Sequence, residues 1–219
     1  MKKTLSVTVL IGCLLGFAVD TARAGFTSDL SLQSVGTMVG QYGGDYVGPI
    51  MGNITGGSTL GFVCDDYSTT TYVPANYQVY VGTLGDLSQA KFGPYSAYPL
   101  HFTNINDAVA AYEKAAWLLG QMKPYAAAGN VTEVGKIQFA IWSIFDPATP
   151  SDRDQADWLR RAGELNLSAL DFNSVRLYTA TTSTNQEFMT GAAASVPVPS
   201  TLILLGPALM VIGAVRKRA

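Results

Sequence analysis

One histidine, two cysteines and only 14% charged residues leave this 219-residue chain few routes to chemistry. His101, the single histidine, lies beside Pro99 with no acidic neighbour in sequence, so no Ser-His-Asp arrangement can be assembled and a plain loop role is expected. Two cysteines cannot supply a zinc spacing. No glycine loop ending in Gly-Lys-Ser/Thr and no dinucleotide fingerprint occurs. Asp146, Asp152 and Asp154 lack the central glycine and terminal glutamate of an EF-hand, so cap and solvent roles are expected for them. A polysaccharide hydrolase would need two facing carboxylates about 5–10 Å apart, and no spacing here places such a pair. No cofactor and no turnover catalysis are expected. Basic residues are scarce where they would matter for nucleic acid. Six of the 14 lie in the two ends against one of the 16 acidic residues, so the middle of the chain is acidic and nucleic acid is excluded as a partner.

The ends read as addresses. Met1–Lys3 is a short basic region, Leu5–Val19 is apolar, and Ala22-Arg23-Ala24 forms an A-x-A cleavage site. Residues 1–24 are therefore expected to be a secretory signal peptide, with Gly25 the new N-terminus. At the other end Ser195–Ser200 is a proline-rich break containing Pro197-Val198-Pro199. An uncharged apolar run, Thr201–Val215, follows, and Arg216-Lys217-Arg218 closes the chain as a cytoplasmic stop. As a helix the run would span about 22 Å, short of a ~30 Å hydrocarbon core, and Pro207 would kink it. Both features suit a temporary membrane hold. The pattern over Val196–Arg218 resembles the PEP-CTERM sorting signal of bacteria that make extracellular polysaccharide, with Val198 in place of the central glutamate. The resemblance implies handling by an exosortase during export, and inner-membrane anchoring before a final site at the cell surface or in the extracellular matrix.

Between the addresses, residues 25–191 form one domain without an obvious linker or fixed repeat. Gly25–Thr103 is rich in Gly, Thr, Tyr and Val and reads as β territory, with strands over Asp45–Ile54, Thr59–Asp65 and Tyr77–Thr83 and a Gly56-Gly57 hairpin turn. Helical periodicity begins at Asn106 and runs to Met122, with a break at Pro124 and Gly129. A second helix covers Val134 to Pro147. A third, Asp152–Ala162, has Ser151 as its cap. Phe172–Thr182 and Gln186–Met189 return to strand. The expected fold is α+β: an antiparallel β-sandwich or barrel with a helical insertion over about 106–162.

Two residues stand out. Val134, Ile137, Ile141, Trp142 and Phe145 make an apolar helical stripe with Gln138 in its middle. A buried amide must be hydrogen-bonded or it costs about 1–3 kcal/mol. Loss of Cys13 with the signal peptide leaves Cys64 as the sole thiol of an exported protein. Cys64 is either a buried small apolar side chain, one half of an intermolecular disulfide, or a partner of Gln138.

The segments Cys64-Asp65-Asp66 and Gln138-Phe139-Ala140-Ile141-Trp142 resemble the two motifs of bacterial Cys-Gln thioester domains in surface adhesins, with Ile137 where those domains usually have Thr. The resemblance implies a bond between Cys64 sulfur and the Gln138 side-chain carbon, formed with loss of ammonia. Asp65 or Asp66 would relay the proton, the thiol pKa would need lowering, and Phe62, Phe139 and Trp142 would exclude water. It further implies an amine-bearing surface or extracellular polysaccharide as the target. The alternative is a non-catalytic structural protein of the exopolysaccharide matrix in which Cys64 and Gln138 are core residues.

Overall fold

The computed structural model describes residues 26–35 and 40–195. The expected signal peptide with Ala22 and Ala24, the sorting motif Pro197–Pro199, the apolar run and Arg216–Arg218 lie outside the described residues. Six strands close into an antiparallel barrel: β1 (Phe26–Ser34), β4 (Ile50–Ile54), β5 (Leu60–Cys64), β9 (Phe188–Thr190), β8 (Arg176–Ala180) and β6 (Ala75–Gly82), in that order around the wall. Closure depends on β1, which pairs with β4 along one edge and β6 along the other. Two short pairs stand apart, β2 (Gly40–Tyr42) with β3 (Asp45–Val47), and β7 (Leu170–Asp171) with β10 (Ala194–Ser195).

Period-two alternation gives the wall two faces. Leu30, Leu32, Phe62, Cys64, Val79, Tyr178 and Phe188 cluster on one face, with Phe62 edge-on to Tyr178 at 5.0 Å. Val63, Leu177 and Met189, on the other, join the larger core built with the helices. Those helices, α1 (Ile105–Ala127), α2 (Val131–Phe145) and α3 (Ala156–Gly163), are inserted between β6 and β7. Asn104 and Asn130 cap the first two, accepting backbone N–H bonds from Asn106 at 2.8 Å and Glu133 at 3.1 Å. Gly129, at φ 68, turns α1 into α2.

The barrel resolves the expected sandwich-or-barrel alternative, and the Gly56-Gly57 turn does join β4 to β5. Several boundaries differ for local reasons. The expected strand Asp45–Ile54 divides into β3 and β4 at Gly48, whose φ of 101 turns the chain. Strand β1 had no counterpart among the expected strands. Helix α1 continues through Pro124 to Ala127, because the proline sits one turn from the end and forfeits a single bond while Met122 and Ala126 remain buried. The third helix starts at Ala156 rather than Asp152: Asp154 adopts φ 54, so no helix can run through it, and Ser151 is not the cap. The strand expected at Phe172–Thr182 is confined to Arg176–Ala180.

Gly52 shows how tightly the barrel closes. A β-carbon there would lie 2.5 Å from the Ser31 carbonyl oxygen and 3.1 Å from the Leu32 Cα, both backbone atoms of the paired strand. Gly52→Ala is expected to lower stability by about 1–3 kcal/mol, read as an earlier midpoint in urea unfolding.

Candidate functional site

The awkward amide of α2 is met from two sides. Gln138 is 1% exposed. Its Nε2 donates to the Cys64 carbonyl at 2.6 Å, and its Oε1 accepts the Gly48 N–H at 3.4 Å. The side chain therefore ties α2 to the end of β5 and to the corner between β3 and β4. Gly48 holds its N–H toward Gln138 in a backbone conformation, φ 101, that side chains other than glycine rarely adopt. Sequence reasoning did not single out Gly48; the only signal was a Gly-Pro step inside an apolar run.

Cys64 closes β5 with its thiol free and 6% exposed. Its Sγ donates to the Asp66 carbonyl at 3.0 Å and accepts the Asp66 N–H at 3.3 Å. Burial pushes the thiol pKa well up, and the nearby Asp66 and Asp65 carboxyls add to the rise. The thiol is thus held protonated, the opposite of the lowering that a resting thiolate would require. The indole N–H of Trp142 works against that rise from its place beside the sulfur. That N–H is buried and makes no hydrogen bond of normal geometry, so it is an unspent donor. Cys64, Gln138 and Trp142 share one cleft of about 490 Å³ with Asp45, Tyr67 and Gln186. The Tyr67 and Phe139 rings pack on the Trp142 ring at 5.3 and 5.0 Å, which fixes the indole in place.

Asp65 and Asp66 do not line that cleft. Asp66 forms a buried ion pair with Lys91, whose ammonium also reaches Thr69 Oγ1 at 2.7 Å. Asp65, the residue after β5, is 0% exposed, as is Glu187. Burial raises the pKa of both carboxyls; for Asp65 the Glu187 charge and then the Asp66 charge raise it further. Glu187 accepts the Lys91 backbone N–H at 2.8 Å, the Tyr112 hydroxyl at 2.5 Å and the Thr179 hydroxyl. With those donors on Glu187, the proton of the pair belongs on Asp65. Lys91, Tyr112, Thr179 and Glu187 form a polar core that sequence reasoning missed, since no spacing links residues from two loops, a helix and a strand. His101 Nδ1 donates to the Tyr98 carbonyl at 2.5 Å. Asp146 is occupied by the Ala148 N–H and the Ser68 hydroxyl.

The protonated Asp65 has a thermodynamic signature. A carboxyl whose pKa is raised by folding favours the folded state below its unfolded pKa, and that advantage is lost as pH rises toward the folded value. Stability should therefore fall from about pH 4 upward, by at most about 1.4 kcal/mol per pH unit for this proton. Asp65→Asn keeps a donor toward Glu187 without the titration. Its stability relative to the parent is expected to increase between pH 4 and 8 in urea unfolding.

No family model matches the chain, and no curated protein matches it. Among solved structures the chain is similar to the N-terminal thioester domain of fibronectin-binding protein SfbI from Streptococcus pyogenes, with 14% identity and a TM-score of 0.43 over 80% of this chain and 95% of that one.

Proposed function

We propose that this is an exported bacterial surface or matrix protein that attaches covalently to a target amine through an internal thioester between Cys64 and Gln138. The observation that carries the reading is the position of the Gln138 carboxamide. It is buried against Cys64 in one cleft, with a backbone N–H on its oxygen and an unspent indole N–H beside the sulfur.

The chemistry balances without a cofactor. Cys64 Sγ attacks the Gln138 side-chain carbon, and negative charge develops on Oε1, where the Gly48 N–H stands. The C–N bond breaks, the thiol proton passes to the departing nitrogen, and ammonia leaves. A target amine later attacks the same carbon; a C–N bond forms, the C–S bond breaks, and the sulfur recovers a proton. The raised thiol pKa makes this sulfur a poor leaving group, which protects the stored bond from water. Gln138 is consumed once, so the protein is a single-use clasp and not an enzyme with turnover. In this reading an exosortase handles the C-terminal segment during export, the apolar run holds the chain at the inner membrane for a time, and the target is an amine-bearing surface or matrix component.

One observation favours the second reading, a structural matrix protein. Both polar ends of the Gln138 amide are already hydrogen-bonded, as a core strut requires. The intact mass of the exported protein separates the two. The thioester makes it one ammonia lighter than its sequence, and Cys64→Ala or methylamine treatment removes the deficit. A full mass with a titratable thiol leaves only the strut. Where the carboxamide is intact, Gln138→Ala is expected to cost about 1–3 kcal/mol in urea unfolding, because it orphans the Gly48 N–H and the Cys64 carbonyl.

A further inference from the structure

The cleft around Cys64 and Gln138 has one charged wall. Among the described residues that line it, Asp45 alone carries a charge; the others are apolar, aromatic, hydroxyl or amide. Asp45 follows the Gly43-Gly44 turn at the start of β3, three residues before the Gly48 that donates to Gln138. Its side chain is half-buried and makes no ion pair among the described residues. The neighbouring cation, Arg153, acts on Asp45 through space without pairing with it; its direct contacts are to Asp152 at 3.3 Å, to the Gly43 carbonyl at 3.3 Å and over the Phe139 ring at 5.8 Å. Tyr46 and Tyr72, also on the cleft, are 63% and 82% exposed. Large rings so exposed contribute nothing to the core, and a ring face attracts a cation.

We propose that Asp45 is the cation filter of this cleft. It draws a protonated primary amine past Tyr46 and Tyr72 to the Gln138 carbon and accepts the proton that the amine must shed. The proposal rests on the thioester reading. The bookkeeping is complete: an ammonium loses two protons on becoming an amide, one to Asp45 and one to the Cys64 sulfur, while a C–N bond replaces the C–S bond and nothing is oxidised or reduced. The filter selects charged amines over neutral nucleophiles of similar size. Water, being neutral, gains nothing from Asp45.

Adduct formation on the full exported chain tests this, followed by intact mass at neutral pH with methylamine, which is cationic there, and hydroxylamine, which is neutral. Asp45→Asn is expected to keep the ammonia deficit, to slow the methylamine reaction by about tenfold or more, and to leave the hydroxylamine rate within about twofold. Asp45→Glu restores the methylamine preference. In the parent protein, raising salt should lower the methylamine-to-hydroxylamine ratio, a measurement that needs no variant. An Asp45→Asn protein that keeps the deficit and the parental ratio overturns the filter while leaving the thioester standing. So does a parental ratio indifferent to salt, or an Asp45→Asn protein that never forms the bond. A parent of full mass removes the thioester and the filter together.

Discussion

A carboxamide cannot be buried alone, and the packing around Gln138 follows from that constraint. Its two hydrogen bonds reach the Cys64 carbonyl, at the end of a barrel strand, and the Gly48 N–H, at the corner that ends β3. The helical layer and the barrel wall are thereby registered against each other at one point. Apolar contact could be satisfied by many small rotations of α2 about its axis; a polar contact of this geometry allows one. The β2–β3 pair, which packs on α2, is positioned by the same clamp. Gly135 shows how close that packing is, since a β-carbon there would lie 2.3 Å from the Tyr42 ring.

The end of β5 and the residues that follow it divide their work. Cys64 joins the apolar cluster of the wall, while Asp65 and Asp66, just past the strand, enter a polar core with Glu187 and Lys91. Burying three carboxyls near one ammonium would be prohibitive if all were ionised. A proton held on Asp65 lowers the charge, and four donors around Glu187 and Asp66 satisfy what is left. The consequence for Cys64 is electrostatic. With acidic groups and little water around it, the thiol keeps its proton.

How much of this was legible in the sequence depends on whether the determinant was local. The stripe of α2 could be read because its period is 3.6 and its residues are large, and the odd amide within it demanded a partner. Cys64 could be read because it is the one thiol outside the expected signal peptide. Gly48 could not, since its contribution is a backbone N–H aimed by a dihedral angle. Strand β1 escaped because FTSDLSLQS buries only Leu30 and Leu32 and leaves Phe26 63% exposed, a weak alternation. Its pairing with both β4 and β6 is what makes a barrel of a sheet, and pairing across such distances has no local mark. Glu187 has no mark in the sequence beyond a charge beside Phe188; only the fold brings Lys91 and Tyr112 to it.

The raised thiol pKa bears on the order of events in the proposed chemistry. A preformed thiolate would speed bond formation but would equally be a good leaving group, and the bond would be lost to water. A protonated thiol reverses both effects: formation waits on transfer of the sulfur's own proton to the departing nitrogen, and release waits on a proton brought by the incoming nucleophile. An ammonium carries such a proton. A site that keeps its sulfur protonated therefore favours a nucleophile that arrives charged, and Asp45, the one charge on the cleft wall, has the sign to receive it. Slow assembly is tolerable for a group used once; slow hydrolysis is what the use requires.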